Sequence, residues 1–194
     1  MGRALTEPHT PGSGGRRHIT VLAVGNPILH DDGTGQAILA ALRGQPEDTW
    51  MPDAAGRRDG TAREAGVADS LPAGVQCVDG GISGMELLPV LEDATHLLLL
   101  DAIAGKEPGE VVVLTGDQLP RLREASLSPH QVGLLDLLSA ARLLGAEPEE
   151  VAAVGIVPER VDPGVGLSPA VAARVPEAAA RAQEILTEWA GDGE

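Results

Sequence analysis

Two adjacent carboxylates, Asp31 and Asp32, follow an apolar stretch and precede a predicted helix, and they are residues that could perform chemistry. A strand that runs into a glycine-containing turn and a helix is the usual place for a bound pyrophosphate. Here the two carboxylates would repel phosphate and attract a metal cation. The glycine spacing also departs from the dinucleotide-binding pattern, because Ile38 stands where a third glycine would have to follow Gly33 and Gly35. The segment therefore predicts hard-ligand chemistry at the carboxyl end of a strand.

Three further groups that could ligate a metal follow other predicted elements. Asp79 comes after the second predicted strand, Asp101 after the third, and His130 stands at a predicted helix start. Ligands of α/β sheets bind beyond the carboxyl ends of the strands, so these side chains are expected near the first loop. Two carboxylates and an imidazole would suit a divalent transition metal, with positions left open for a substrate.

Each of these residues also has a purely structural interpretation. Asp31 or Asp32 could cap the following helix, Asp79 could form a turn, and His130 could simply occupy a helix start. Asp101 is harder to explain in this way, because a carboxylate directly after four leucines is costly to bury without a hydrogen bond or a metal. The chain has no Gly-x-Ser-x-Gly elbow, His-Glu-x-x-His pair or Walker loop. Spacing by itself supports a metal-dependent α/β protein.

The elements that must position these residues alternate between strands and helices. Strands are predicted over residues 19–25, 75–78, 96–100, 110–114 and 151–157, and helices over 34–43, 83–91, 128–144 and, after Ser168-Pro169, to 189 with a break at Pro176. Ser83 and Glu86 match a capping box, with Pro89 as a kink, and Ser128 is the predicted N-cap of the third helix. This alternation predicts a three-layer α/β/α sandwich around a largely parallel sheet.

Length and composition predict one cytoplasmic domain over residues 18–191. Residues 1–17 are predicted to be a disordered tail, and residues 44–73 a flexible surface insertion. A formal charge of −15 and the absence of Phe and Tyr argue against binding to nucleic acid or anionic membranes. No apolar run has the length of a membrane span. The stretch after Arg16-Arg17 lacks the cleavage site of a signal peptide, and the single cysteine, Cys77, is expected to be a small buried hydrophobe.

Six motifs, in this order, resemble those of the [NiFe]-hydrogenase maturation proteases, endopeptidases that trim the hydrogenase large subunit. They are Gly25-Asn26 with Asp31-Asp-Gly33, Asp79-Gly-Gly-Ile-Ser-Gly-Met-Glu-Leu-Leu-Pro89, Leu100-Asp-Ala102, Ser128-Pro-His-Gln-Val-Gly-Leu134, Val154-Gly-Ile-Val-Pro158 and Gly166-Leu-Ser-Pro169. The resemblance runs from about residue 19 to residue 189, and the Asp79 and Ser128 blocks are its most specific parts. The tail and the insertion are extra to the family pattern.

The resemblance implies roles for individual residues. It implies that Asp32, Asp101 and His130 are both metal ligands and catalytic residues, with Asp31 left to cap or orient the loop. Asp79, Gly80 and Gly81 are implied to contribute to substrate binding. The family fold is a five-stranded sheet between helices with one antiparallel strand, for which residues 110–114 are the natural candidate.

The implied reaction is removal of a carboxy-terminal extension from a [NiFe]-hydrogenase large-subunit precursor after nickel insertion. Nickel would arrive in the precursor, the expected partner of a monomeric protease, and zinc or cadmium could occupy the same ligands. One alternative is a non-catalytic nickel chaperone that binds the precursor. Another is a related protease that acts on a different precursor, such as a spore-germination endopeptidase.

Overall fold

The computed structural model describes residues 17–45, 71–119 and 129–191, with the backbone alone for residues 117 and 129–135. Residues 1–16 of the predicted tail and most of the predicted insertion lie outside the described residues, as does the predicted N-cap Ser128. Those predictions stay predictions.

A five-stranded sheet forms the centre of the molecule, with strand order β2-β1-β3-β5-β4. The strands are β1 (Ile19–Val24), β2 (Gln76–Gly81), β3 (His96–Ala102), β4 (Val111–Thr115) and β5 (Glu150–Ile156). Neighbouring strands are parallel except β4, which runs antiparallel to β5. The predicted mixed sheet is confirmed, and the antiparallel strand is the one that was predicted.

The helices are α1 (Thr34–Leu42), α2 (Leu88–Glu92), α3 (Pro129–Leu143), α4 (Pro169–Ala172) and α5 (Val175–Gly191), with 3-10 turns at His30–Gly33, Met85–Leu87 and Gly116–Gln118. Among the described ranges, none of the helices combines the length and apolar character that crossing a bilayer requires.

The four leucines of β3 show why helices cover both faces of the sheet and give the molecule three layers. Leu98 and Leu100 pack with α1 and α5 on one face of the sheet, whereas Leu97 and Leu99 pack with α2 and α3 on the other. All four side chains are fully buried. A strand covered on both faces needs an unbroken apolar run, because its side chains alternate between two cores.

The helix start after β2 differs from the prediction. Gly84, not Ser83, precedes the 3-10 turn, and no side-chain cap bond forms there. The carboxylate of Glu86 instead accepts a hydrogen bond from the Gly84 amide at 3.1 Å. Pro89 does not kink a helix but lies in the first turn of α2, where the missing N–H is not needed.

The last helical region begins and breaks close to where the sequence predicts. Ser168 is the N-cap of α4, and its hydroxyl accepts a hydrogen bond from the Val171 amide at 3.4 Å. The break falls between Ala172 and Val175, so that Pro176 lies in the first turn of α5. Proline at this place removes no intrahelical hydrogen bond.

The carboxyl ends of β1, β2, β3 and β5 lie at one edge of the sheet, which we call the carboxyl edge. The carboxyl end of α3 lies at the opposite edge, because the Glu149 amide, a few residues beyond it, donates to Thr95 O at 2.8 Å, just before β3. A helix of 15 residues is about 22 Å long. The amino end of α3 therefore points toward the carboxyl edge.

Candidate functional site

Residues 25–33 connect β1 to α1, and we call them the first loop. Close packing of α1 against the sheet brings this loop to the carboxyl end of β3. Gly35, in the first turn of α1, lies so near the strands that a Cβ there would overlap the carbonyl oxygens of Val24 and Leu100. Asp101 directly follows Leu100, and Asp32 precedes Gly35 by about one helical turn. The structure therefore places both predicted carboxylates where β1, β3 and α1 meet.

Both of these carboxylates are buried. Asp32 is 0% exposed, and its Oδ2 accepts a hydrogen bond from the Asn26 amide at 3.1 Å. Asp101 is 3% exposed, and its Oδ1 accepts from the Ala102 amide at 2.7 Å. Ionised carboxylates that lie near each other repel, and burial adds a desolvation cost. A cation bound at this edge would offset both costs, and hard oxygen donors suit a divalent metal.

The third predicted ligand, His130, is the second residue of α3. Helix α3 contacts the 3-10 turn Met85–Leu87, and its amino end points toward the carboxyl edge. The side chain of His130 lies outside the described residues. Within the described part of the chain, no group of three or more His, Cys, Asp or Glu side chains could hold a metal ion. The three-ligand set stays a prediction.

Asp31 holds two loops together. Its Oδ2 accepts hydrogen bonds from the Glu159 and Arg160 amides, both at 3.0 Å, and its Oδ1 accepts from the Ser168 amide at 2.6 Å. Helix α1 has Gly33 as its N-cap and no side-chain cap bond. Asp31 therefore does not cap that helix. It orients the first loop against the segment that follows β5, a contact that the sequence did not indicate.

His30 joins the same two loops from the other side. Its Nδ1 donates to Gly166 O at 3.0 Å, and its Nε2 accepts from Arg160 Nη2 at 2.8 Å. Because a carbonyl accepts and a guanidinium donates, this arrangement requires the neutral ring with its proton on Nδ1. His30 also has a φ of 50°, a left-handed conformation that is uncommon outside glycine. The sequence pattern did not predict this contact between His30 and the segment that follows β5.

Arg160 is held in turn by Asp162. The guanidinium donates to both carboxylate oxygens at 3.0 Å. This hydrogen bonding raises the pKa of Arg160 and lowers the pKa of Asp162. Next to the pair lies a cavity of about 400 Å³, lined in part by His30, Arg160 and Ser168. The loop after β5 therefore forms a polar wall beside the first loop.

Asp79 lies in β2, near the carboxyl edge, and its side chain bonds to neighbouring groups. Its Oδ1 accepts from the Gly81 amide at 3.1 Å and from Gln36 Nε2 at 3.3 Å. The same Gln36 nitrogen donates to Gly25 O at 2.9 Å, and the Gly25 amide donates to Gly81 O at 2.9 Å. Asp79 thus makes local contacts at the end of β2. Gly80 and Gly81 are the last residues of β2, and the substrate-binding role of this block stays a prediction.

Comparisons with known proteins agree with the fold and the motifs. A family model described as hydrogenase maturation protease matches residues 65–185. The hydrogenase 2 maturation protease of Escherichia coli (strain K12) is 36% identical over 159 residues, which cover 81% of this chain and 83% of that protein. The solved structure of the hydrogenase maturating endopeptidase HybD from E. coli has a TM-score of 0.71 and 35% identity, covering 90% of this chain and 94% of the other.

A more distant structure shares the fold. The [NiFe] hydrogenase maturation protease HybD from Thermococcus kodakarensis has a TM-score of 0.59 at 22% identity, covering 88% of this chain and 99% of the other. The motifs, the matching family model and the similar E. coli protein all lead to one assignment. The chain belongs to the hydrogenase maturation protease family.

Proposed function

We propose that this chain is an endopeptidase that removes the carboxy-terminal extension of a [NiFe]-hydrogenase large-subunit precursor after nickel has been inserted. The observation that carries the proposal is the pair of buried carboxylates, Asp32 and Asp101, at the carboxyl edge of a member of the hydrogenase maturation protease family. Carboxylates in such a place are suited to binding a cation and accepting a proton.

Nickel belongs to the substrate in this proposal. Asp32, Asp101 and His130 recognise the ion that the precursor already holds, so cleavage depends on correct metal loading. The chemistry that the ion would supply, once these residues hold it, is polarisation of the scissile carbonyl or of the attacking water. This dependence fits a chain without the sequence signature of a self-sufficient nucleophile.

The proposed reaction is ordinary peptide hydrolysis. The oxygen of water bonds to the scissile carbonyl carbon, and one carboxylate of the pair takes the proton that the water releases. The C–N bond then breaks, and the proton passes to the leaving amine.

The test compares two forms of one precursor. Purified protein is incubated with nickel-loaded and with nickel-free large-subunit precursor, and the intact mass of the precursor is followed over time. We expect the mass of the extension to be lost from the nickel-loaded form alone. Equal cleavage of both forms would contradict recognition of nickel. Tight nickel binding by this protein, with both precursors uncut, would support the chaperone alternative instead.

A further inference from the structure

Four large apolar side chains are exposed on the loops of the carboxyl edge. They are Ile28 (62% exposed), Ile82 (65%), Met85 (50%) and Val165 (48%), and we call them the apolar rim. Three other large apolar side chains among the described residues are exposed, and they belong to β4 and to the carboxyl end of α3. Exposed apolar side chains that gather at one place mark an interaction surface.

Backbone hydrogen bonds join the loops that carry the rim. The Gly164 amide donates to Ile28 O at 2.9 Å. Gly164 directly precedes Val165, so the backbones near Val165 and Ile28 are in contact. The Gly25 amide donates to Gly81 O at 2.9 Å, which places the first loop beside the turn that begins at Ile82. The loops that carry Ile28, Val165 and Ile82 are therefore neighbours at the carboxyl edge.

The charges around the rim limit what can bind there. Asp79, near the end of β2, and Glu86, in the 3-10 turn that follows, are both exposed. Backbone hydrogen bonds from its own amide and from Gly84 lower the pKa of Glu86, so it stays ionised. The whole chain has a formal charge of −15. This charge opposes a second copy of the chain, a nucleic acid or an anionic membrane. A polypeptide with apolar side chains and positive charge complements the surface.

We propose that the apolar rim is the docking surface for the segment of the precursor next to the scissile bond, and that this segment combines apolar side chains with positive charge. The inference rests on the proposed function. The first loop links the rim to the candidate site, because it carries both Ile28 and Asp32. A segment bound on the rim is thereby brought to the buried carboxylates.

The experiment removes apolar surface at the rim and, in a matched control, far from it. The rim variant is Ile28→Ser with Ile82→Ser. The control is Leu143→Ser with Leu144→Ser, which are 88% and 64% exposed at the opposite end of α3. Nickel-loaded full-length precursor is the probe, and both turnover and the dissociation constant are measured. We expect the rim variant to raise KM and Kd about tenfold or more with kcat nearly unchanged, and the control to match the wild type.

Each outcome decides between named possibilities. Equal KM and Kd in the two variants would overturn the docking surface. A wild-type protein that binds precursor but never cuts it, with binding weakened by the rim variant, would overturn the proposed function and uphold the docking surface. Sedimentation showing a wild-type dimer that the rim variant dissociates would make a second copy the occupant and overturn the inference. Circular dichroism confirms folding, and Ile82→Ala is the milder replacement if the double variant is unstable.

Discussion

At the scale of single residues, Asp31 and Asp32 show how neighbours with the same side chain differ in what they contact. Both are 0% exposed. Asp31 accepts three backbone amides from the segment after β5, whereas Asp32 accepts the Asn26 amide within its own loop. Charge-assisted hydrogen bonds to buried amides are among the stronger ones in proteins. Asp31 therefore ties the first loop to the segment after β5, and Asp32 is the member of the pair that the proposed reaction uses.

This difference predicts that two isosteric replacements affect different properties, the one at Asp31 mainly stability and the one at Asp32 mainly activity. Asp31→Asn puts an NH2 group against backbone N–H donors and should lower the free energy of unfolding by about 1–3 kcal/mol. Asp32→Asn keeps an acceptor for Asn26 but removes the charge, so it should cost less stability and lower kcat/KM for the precursor by about 100-fold or more. Urea unfolding followed by circular dichroism and the precursor mass assay measure the two quantities.

Asp93→Asn is the control for both variants, because Asp93 is an exposed carboxylate at the end of α2. It should leave stability and processing as in the wild type. Equal loss of stability in the two buried variants would contradict the structural role of Asp31. Normal processing by Asp32→Asn would remove Asp32 from the proposed site.

At the scale of elements, apolar runs bounded by charge or glycine predicted all five strands to within a few residues. Strand β3 begins at His96 as predicted but continues to Ala102, because Asp101 and Ala102 pair with Gly155 and Ile156 of β5. The rule that ligand groups gather at the carboxyl ends of parallel strands then placed Asp101 beside the first loop. Local pattern and sheet topology together were enough to predict where Asp101 lies in the fold.

The contacts that the sequence did not indicate join distant loops. Asp31 and Ser168 are 137 residues apart, and nothing in the local pattern of either segment records their hydrogen bond.

The predicted capping box at Ser83 was wrong for a different reason. Two starts were compatible with the sequence, and the chain uses Gly84 before the 3-10 turn, with the Glu86 carboxylate bonded to the Gly84 amide. Propensity cannot choose between such neighbouring starts.

The contact between α1 and the sheet gives a prediction at this scale. Gly35→Ala adds a Cβ that would overlap the Val24 and Leu100 carbonyl oxygens, so α1 must move away from the strands. The expected loss in the free energy of unfolding is about 1–3 kcal/mol. Because α1 directly follows the loop of Asp32, precursor processing should also slow. Urea unfolding and the mass assay test both effects.

The matched control is Gly191→Ala at the end of α5, where an added Cβ meets nothing within 4 Å. Alanine favours a helix more than glycine does, so this variant should be as stable as the wild type or slightly more stable. If both alanine variants were equally stable, the close approach of α1 to the strands would not matter.

At the scale of the whole molecule, charge and core act against each other. The chain carries 29 acidic and 14 basic residues, and its formal charge of −15 makes the folded state repel itself. Ion pairs such as Arg174–Glu177 and Arg181–Glu184 are about half exposed and offset little of this repulsion. The two apolar cores on either side of the sheet must therefore supply most of the stability.

Salt should consequently strengthen the fold and weaken precursor binding. Raising NaCl from about 0.01 M to about 0.1 M shortens the screening length from about 30 Å to about 10 Å, which reduces self-repulsion. The free energy of unfolding in urea should rise, while KM for a precursor with a positively charged docking segment should increase, because salt also screens attraction between partners. A fall in stability would mean that exposed ion pairs outweigh the net charge. A KM independent of salt, beside a rise in stability, would show that the precursor binds through apolar contacts without charge complementarity.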